Sequence, residues 1–193
     1  MRVIFGKAKG IRLGSLKGAD IRPTLDRVKE SFFNQVGPGL NGLWFLDLFA
    51  GTGSMGLEAL SRGAKKVFFV EIDPRGQKLI YSNLEKCRFW KEDDGSKEEN
   101  WILLKSDAIH AIHTLAERGH RFDLVYIDPP FDKDLYASCL AELSASAILD
   151  GSSRVIVEHF HKNALDKNYG KLHLISARRA GDTRLSFFSL REK

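Results

Sequence analysis

From Trp44 onward the chain alternates short β-rich runs with helical segments, and that rhythm narrows its possible folds more than any other feature. Runs at 44–49, 67–72, 101–104, 122–127 and 154–158 are strand candidates. Helical patterns near 54–62, 75–87, 107–117 and 133–145 separate them, so each strand–helix–strand unit predicts a right-handed crossover in a parallel sheet. The class is α/β. The tail breaks the rhythm, because 172–177 and 184–190 are extended runs joined by a turn containing Gly181-Asp182 rather than by a helix. An antiparallel C-terminal hairpin at the sheet edge is expected.

Ahead of this core, residues 3–5 and 11–13 look like short strands around a glycine-bearing turn, which predicts an N-terminal β-hairpin extension over 1–23 and a main domain over 24–193. Thr24 is placed to cap a helix in which Leu25, Val28, Phe32 and Val36 recur at helical spacing. The first 30 residues hold eight Lys and Arg against three Asp and Glu, a surplus equal to the whole formal charge of +5. Basic charge gathered at one end suits a polyanion, since each neutralised phosphate releases counterions. Arg2, Lys7, Lys9, Arg12, Arg22 and Arg27 are the candidate phosphate contacts. Arg22 and Arg27 are equally placed to pair with Asp20, Asp26 or Glu30. Arg178, Arg179 and Arg184 in the tail either extend the basic surface or guard an edge strand against aggregation.

With 193 residues, 43% hydrophobic and 28% charged, the chain has material for one substantial core. No apolar run approaches the roughly 20 residues of a membrane helix, and the first residues lack a signal-peptide layout, so a cytoplasmic monomer away from membranes is expected. Cys87 and Cys139 lack metal-ligand spacing and are expected as reduced thiols. His110 and His113 share a helical turn but no third ligand is evident, so no metal is predicted. Residues 91–100 are polar throughout and read as a surface loop.

Two motifs carry chemistry. Phe45-Leu-Asp47-Leu-Phe49 runs into Ala50-Gly51-Thr-Gly53-Ser-Met-Gly56 and then a helix, which is the setting in which glycines let a ligand approach backbone at the end of a first strand. Glu71, 20 residues after Gly51, ends the second strand where an acid binds ribose hydroxyls. A nicotinamide dinucleotide satisfies these features, and so does S-adenosylmethionine. The latter also needs a group for its adenine after the third strand, where Asp107 and Ala108 stand; Asp107 serves equally as a helix N-cap. Asp47 is placed to fix the glycine turn and meet the methionine amine. The second motif, Asp128-Pro129-Pro130-Phe131, closes the fourth apolar run. Consecutive prolines have no N–H, so the segment offers carbonyls and a carboxylate to a donor-rich ligand such as a nucleobase amine, with Phe131 as a stacking face.

Together these residues resemble the class I S-adenosylmethionine-dependent methyltransferases that modify exocyclic amines. More narrowly, Met1-Arg-Val-Ile4, Gly6-Lys-Ala-Lys-Gly10 and Arg22-Pro-Thr-Leu-Asp-Arg-Val-Lys-Glu30 are similar to the N-terminal signature of the bacterial RsmD family. The resemblance spans nearly the whole chain. It implies a Rossmann-like sheet of seven strands, mostly parallel, and methylation of the N2 amine of a guanine in 16S ribosomal RNA, in a small subunit or its assembly intermediate. On that pattern Asp128, Pro129 and Phe131 are catalytic, and Asp47, Phe49, Gly51, Gly53, Glu71, Asp107 and Ala108 hold the cofactor. Phe131 stands where the family often has tyrosine, which keeps stacking and removes a hydroxyl. The competing readings are an adenine-N6 DNA or protein-glutamine methyltransferase, a nicotinamide-dependent oxidoreductase, and a non-catalytic RNA-binding relative.

Overall fold

The computed structural model describes residues 1–15, 26–90, 100–130 and 133–191. Five parallel strands, β1 (Trp44–Asp47), β2 (Lys66–Val70), β3 (Trp101–Leu104), β4 (Leu124–Ile127) and β5 (Arg154–Phe160), are followed by β6 (Asn168–Tyr169), β7 (Leu172–Ala180) and β8 (Thr183–Leu190). Their spatial order is β3-β2-β1-β4-β5-β8-β7-β6, with β8 antiparallel to both β5 and β7. The expected α/β sheet and C-terminal hairpin are both present. An eighth strand, β6, is added. At two residues, hooked onto β7 through Asn168↔His173 and Tyr169↔Leu172, it is too short to leave a period-two pattern in the sequence.

Period-two alternation builds the core on both faces. Phe45, Tyr126, Ile156, Leu185 and Phe187 point to one side, where α1 (Asp26–Val36), α2 (Ser54–Ser61) and α3 (Pro74–Lys86) pack. Leu46, Val125, Val155 and Phe188 point to the other, against α4 (Ala108–Glu117) and α5 (Lys133–Ala145). All four residues of β4 are buried, as a central strand covered on both faces requires. A one-residue slip would exchange the two faces of a strand, so this alternation locks the register.

The expected N-terminal strands shrink to a single antiparallel bridge, Arg2↔Arg12, flanked by Val3 N–H to Ile11 O at 3.0 Å and Gly10 N–H to Val3 O at 2.8 Å. The physical reason lies in α2. Glu58 takes the Ile4 N–H at 2.8 Å and the Phe5 N–H at 3.0 Å, so those donors are not available to a longer ladder. The same carboxylate accepts from Arg62 Nε at 2.9 Å, and Lys29 Nζ lies 3.8 Å away while donating to Arg2 O at 2.8 Å. Val3, Ala8 and Leu13 are buried in the same cluster as α1, α2 and α3. The hairpin is therefore bolted to the sheet's helical layer. The Thr24 cap and the 91–99 part of the predicted loop fall outside the described residues.

Chain order reverses direction at β1, which lies between β2 and β4. In open α/β sheets a crevice forms at such a switch point, beyond the carboxyl ends of the strands.

Candidate active site

That crevice is a cleft of about 800 Å³. Its near wall is the glycine turn between β1 and α2. Gly53 is left-handed, at φ 78°, and serves as the N-cap of α2, its own N–H donating to Ala50 O at 2.7 Å. The cleft is lined by Asp47, Phe49, Gly51 and Glu71, whereas Gly53 shapes the turn without lining it.

The turn is held from below by acids. Asp47 is buried and accepts the Gly56 N–H at 3.2 Å, tying β1 to the first turn of α2. Burial pushes its carboxyl up to about 7, because desolvation of the charged form outweighs the backbone N–H groups that favour it. Glu71 receives the Gly51 N–H at 2.6 Å on one oxygen and the Asp73 N–H at 2.7 Å on the other. Burial raises its pKa as well, against those same hydrogen bonds. Each oxygen keeps a lone pair for a hydroxyl donor, since a carboxylate has about four acceptor positions. Gly76 in α3 makes room for this arrangement: a Cβ there would lie 2.9 Å from Glu71 Cγ, Glu71 Cδ and Gly51 O.

Across the cleft, Ala108 and Asp107 follow β3. Asp107 is the N-cap of α4, accepting from His110 N–H at 2.9 Å, and it lines the cleft in the same position. The N-cap reading of this residue holds, and its place in the lining leaves it within reach of a ligand in the cleft. The Asp128-Pro129-Pro130 segment leaves the tip of β4 and closes the far wall, with Asp128 half-buried and Pro129 buried. Phe131 and Arg22 fall outside the described residues.

Several lining residues left no mark in the sequence. The β4–β5 register pairs Ile127 with Val157, and the residues that follow each of them, Asp128 and Glu158, both line the cleft. The Tyr126 hydroxyl donates to the buried Glu158 carboxylate, and burial followed by that carboxylate drives the phenol well above its ordinary range. Ser54 Oγ and Thr183 Oγ1 are buried in the lining without a hydrogen-bond partner among the described residues. Orphaned hydroxyls at the rim of a polar cleft are what a ligand would satisfy. A contact such as Tyr126 with Glu158, 32 positions apart, has no local signature.

The basic candidates sit elsewhere. Arg2, Lys7, Lys9, Arg12 and Arg27 are exposed, outside the cleft lining. Asp26 pairs with Arg2 at 3.0 Å rather than with Arg27, and the Arg27 guanidinium lies against the Gly181 turn. His110 and His113 are exposed, His113 facing Glu142 at 3.4 Å, and no group of three or more His, Cys, Asp or Glu among the described residues is arranged to hold a metal.

The family model described as Conserved hypothetical protein 95 matches residues 1–189. The chain belongs to that family. It is the RsmD family of class I methyltransferases, which the N-terminal signature resembled. Among curated relatives, the "Putative rRNA methyltransferase YlbH" of Bacillus subtilis (strain 168) is 33% identical over 99% of this chain and 100% of its own length. The "Ribosomal RNA small subunit methyltransferase D" of Haemophilus influenzae is 36% identical over 82% of this chain and 78% of its own. Among solved structures, the "Putative methyltransferase yhhF" from Escherichia coli superposes with a TM-score of 0.80 at 26% identity, covering 100% of this chain and 99% of the other. The fold is thus shared along the full chain.

Proposed function

We propose that this protein methylates the exocyclic N2 amine of a guanine in 16S ribosomal RNA. The observation that carries the reading is the shape of the far wall: a carboxylate and two prolines, without an N–H between Asp128 and Pro130, face the glycine turn and Glu71 across one cleft. The family's relatives are named as ribosomal RNA methyltransferases, which supports RNA as the acceptor.

The cofactor is S-adenosylmethionine, and the residues present fit it. Glu71 suits the ribose diol, Asp107 and Ala108 the adenine edge, and Asp47 with the orphaned Ser54 hydroxyl the amino-acid end. When bound, it supplies an electrophilic methyl carbon on a sulfonium. Asp128 and the Pro129 carbonyl accept the two N–H bonds of the target amine, which turns its lone pair out of ring conjugation and aims it at that carbon. On accepting that methyl the amine nitrogen would become cationic and give up a proton, with Asp128 the adjacent acceptor. Phe131 supplies a stacking face for a base drawn out of its helix.

Glu158 favours guanine over adenine. The pairing edge of guanine presents adjacent donors, N1–H and N2–H, whereas that of adenine alternates donor and acceptor. Two carboxylates in one cleft lining match the first pattern. Nucleoside mass spectrometry of 16S RNA, treated with the enzyme after isolation from cells lacking this gene, tests the assignment. N2-methylguanosine is the expected product; N6-methyladenosine, or incorporation into protein alone, would refute it.

A further inference from the structure

The cleft opens toward the β7–β8 turn, since Thr183 at the start of β8 lines it and pairs with Phe160 at the end of β5. One residue further on, His159 of β5 is directly opposite Arg184 of β8, and Arg184 is directly opposite Arg179 of β7. Directly opposed residues in antiparallel strands share a face. His159, Arg184 and Arg179 therefore form a row across three strands, running from the buried cleft wall through a half-exposed position to an exposed one over roughly 10 Å.

Nothing in the fold explains the two arginines. Like charges directly opposite each other destabilise a sheet, and no Asp or Glu among the described residues pairs with either. Protection of an edge strand accounts for Arg179 on β7 but not for Arg184, because β8 lies inside the sheet between β5 and β7. Arg179 is held in place, its Nε donating to Gly181 O at 2.7 Å, which leaves its terminal N–H groups directed to solvent or a ligand. Arg178 is opposite Leu185 and belongs to the other face, with α1. It is not part of the row.

We propose that Arg184 and Arg179 form a phosphate track that carries the RNA backbone flanking the target base across the β5–β8–β7 end of the sheet and into the cleft. The inference rests on the ribosomal RNA reading above and adds a second contact surface, separate from the basic hairpin. A guanidinium fork suits phosphate oxygens, and such contacts fix position without reading sequence.

The test compares wild type with R179A/R184A, R179K/R184K and the remote charge control K65A, using deproteinised 16S RNA. R179A/R184A is expected to weaken RNA binding about tenfold at moderate salt and to reduce the slope of log affinity against log salt by about 1.5, the loss of two phosphate contacts. Affinity for S-adenosylhomocysteine by calorimetry should match wild type. The lysine pair should retain most of the salt slope, and K65A all of it. Equal RNA affinity and slope in wild type and R179A/R184A, with methylation intact, would overturn the track alone. Loss of binding in the lysine pair equal to that in the alanine pair would also overturn it. A wild-type protein that neither binds nor methylates 16S RNA, whether deproteinised or in small-subunit particles from cells lacking this gene, would remove the functional reading, and the track with it.

Discussion

Two clusters of buried charge lie about one helix apart, and they are built on opposite plans. Under the N-terminal hairpin, Glu58 and Lys29 are both 0% exposed, and the carboxylate is met by two backbone N–H groups, Arg62 and Lys29. At the cleft, Asp47 and Glu71 are buried or half-buried and met by backbone N–H groups, the buried Glu158 accepts from a phenol, and the Ser54 and Thr183 hydroxyls have no hydrogen-bond partner among the described residues. A saturated cluster has nothing left to bind. Asp47 and Glu71, whose pKa values burial raises, still gain from a ligand that brings hydroxyls or a cation.

The comparison breaks most sharply at Asp128. Replacing it with Ala should lower methyl transfer to RNA by about 10³-fold while calorimetry shows S-adenosylhomocysteine bound as in wild type. A loss below tenfold in a tritiated-methyl assay would move the acceptor role to another group.

Next in size is Glu58→Ala, which leaves Lys29 buried without its carboxylate. Urea unfolding should register a loss of about 4 kcal/mol, the cost of stranding a buried charge. A change under 1 kcal/mol would mean that the hairpin is not held by this clamp.

Gly76→Ala sharpens the contrast, because the substitution ordinarily strengthens a helix by about 1 kcal/mol. Here the added carbon meets Glu71 and Gly51 O at 2.9 Å, so the sign should reverse, with stability falling by about 1–2 kcal/mol and cofactor affinity by about tenfold. A stabilised variant with unchanged affinity would show that Glu71 does not depend on this gap.

Spread most thinly, over several pH units, is a slope of stability with pH. Asp47 titrates near 7 when folded against 3.8 as its ordinary value, so between those limits the folded state holds a proton that the unfolded state has released. Stability should therefore fall as pH rises from 4 to 7, by at most about 1.4 kcal/mol per unit, and level off above. Urea titrations of Asp47→Asn should be flatter over that window. Cofactor affinity should rise through the same window in wild type, as the ionised carboxylate becomes available to an ammonium group.

Much of this molecule was legible from residues close in sequence. The five parallel strands, the helices between them and the tail hairpin follow from period-two and helical patterning, and the glycine turn, Glu71, Asp107 and Asp128 occupy the predicted ends of strands. The departures have specific causes. The hairpin ladder is cut short by Glu58, more than 50 positions away, and β6 is too short to show a period.

Local spacing decides which segments bury which face, because side-chain direction repeats every two residues in a strand and at about 3.6 in a helix. The amino-acid order alone therefore determined the α/β class, the placing of a ligand at the carboxyl end of the first strand and the acceptor-rich tip of β4. Only tertiary structure could bring Asp128 and Glu158 into one cleft lining, join Tyr126 to Glu158, or line Arg184 and Arg179 up with His159. Those neighbours come from cross-strand register, and register is settled by the packing of the whole sheet rather than by any stretch of chain within it.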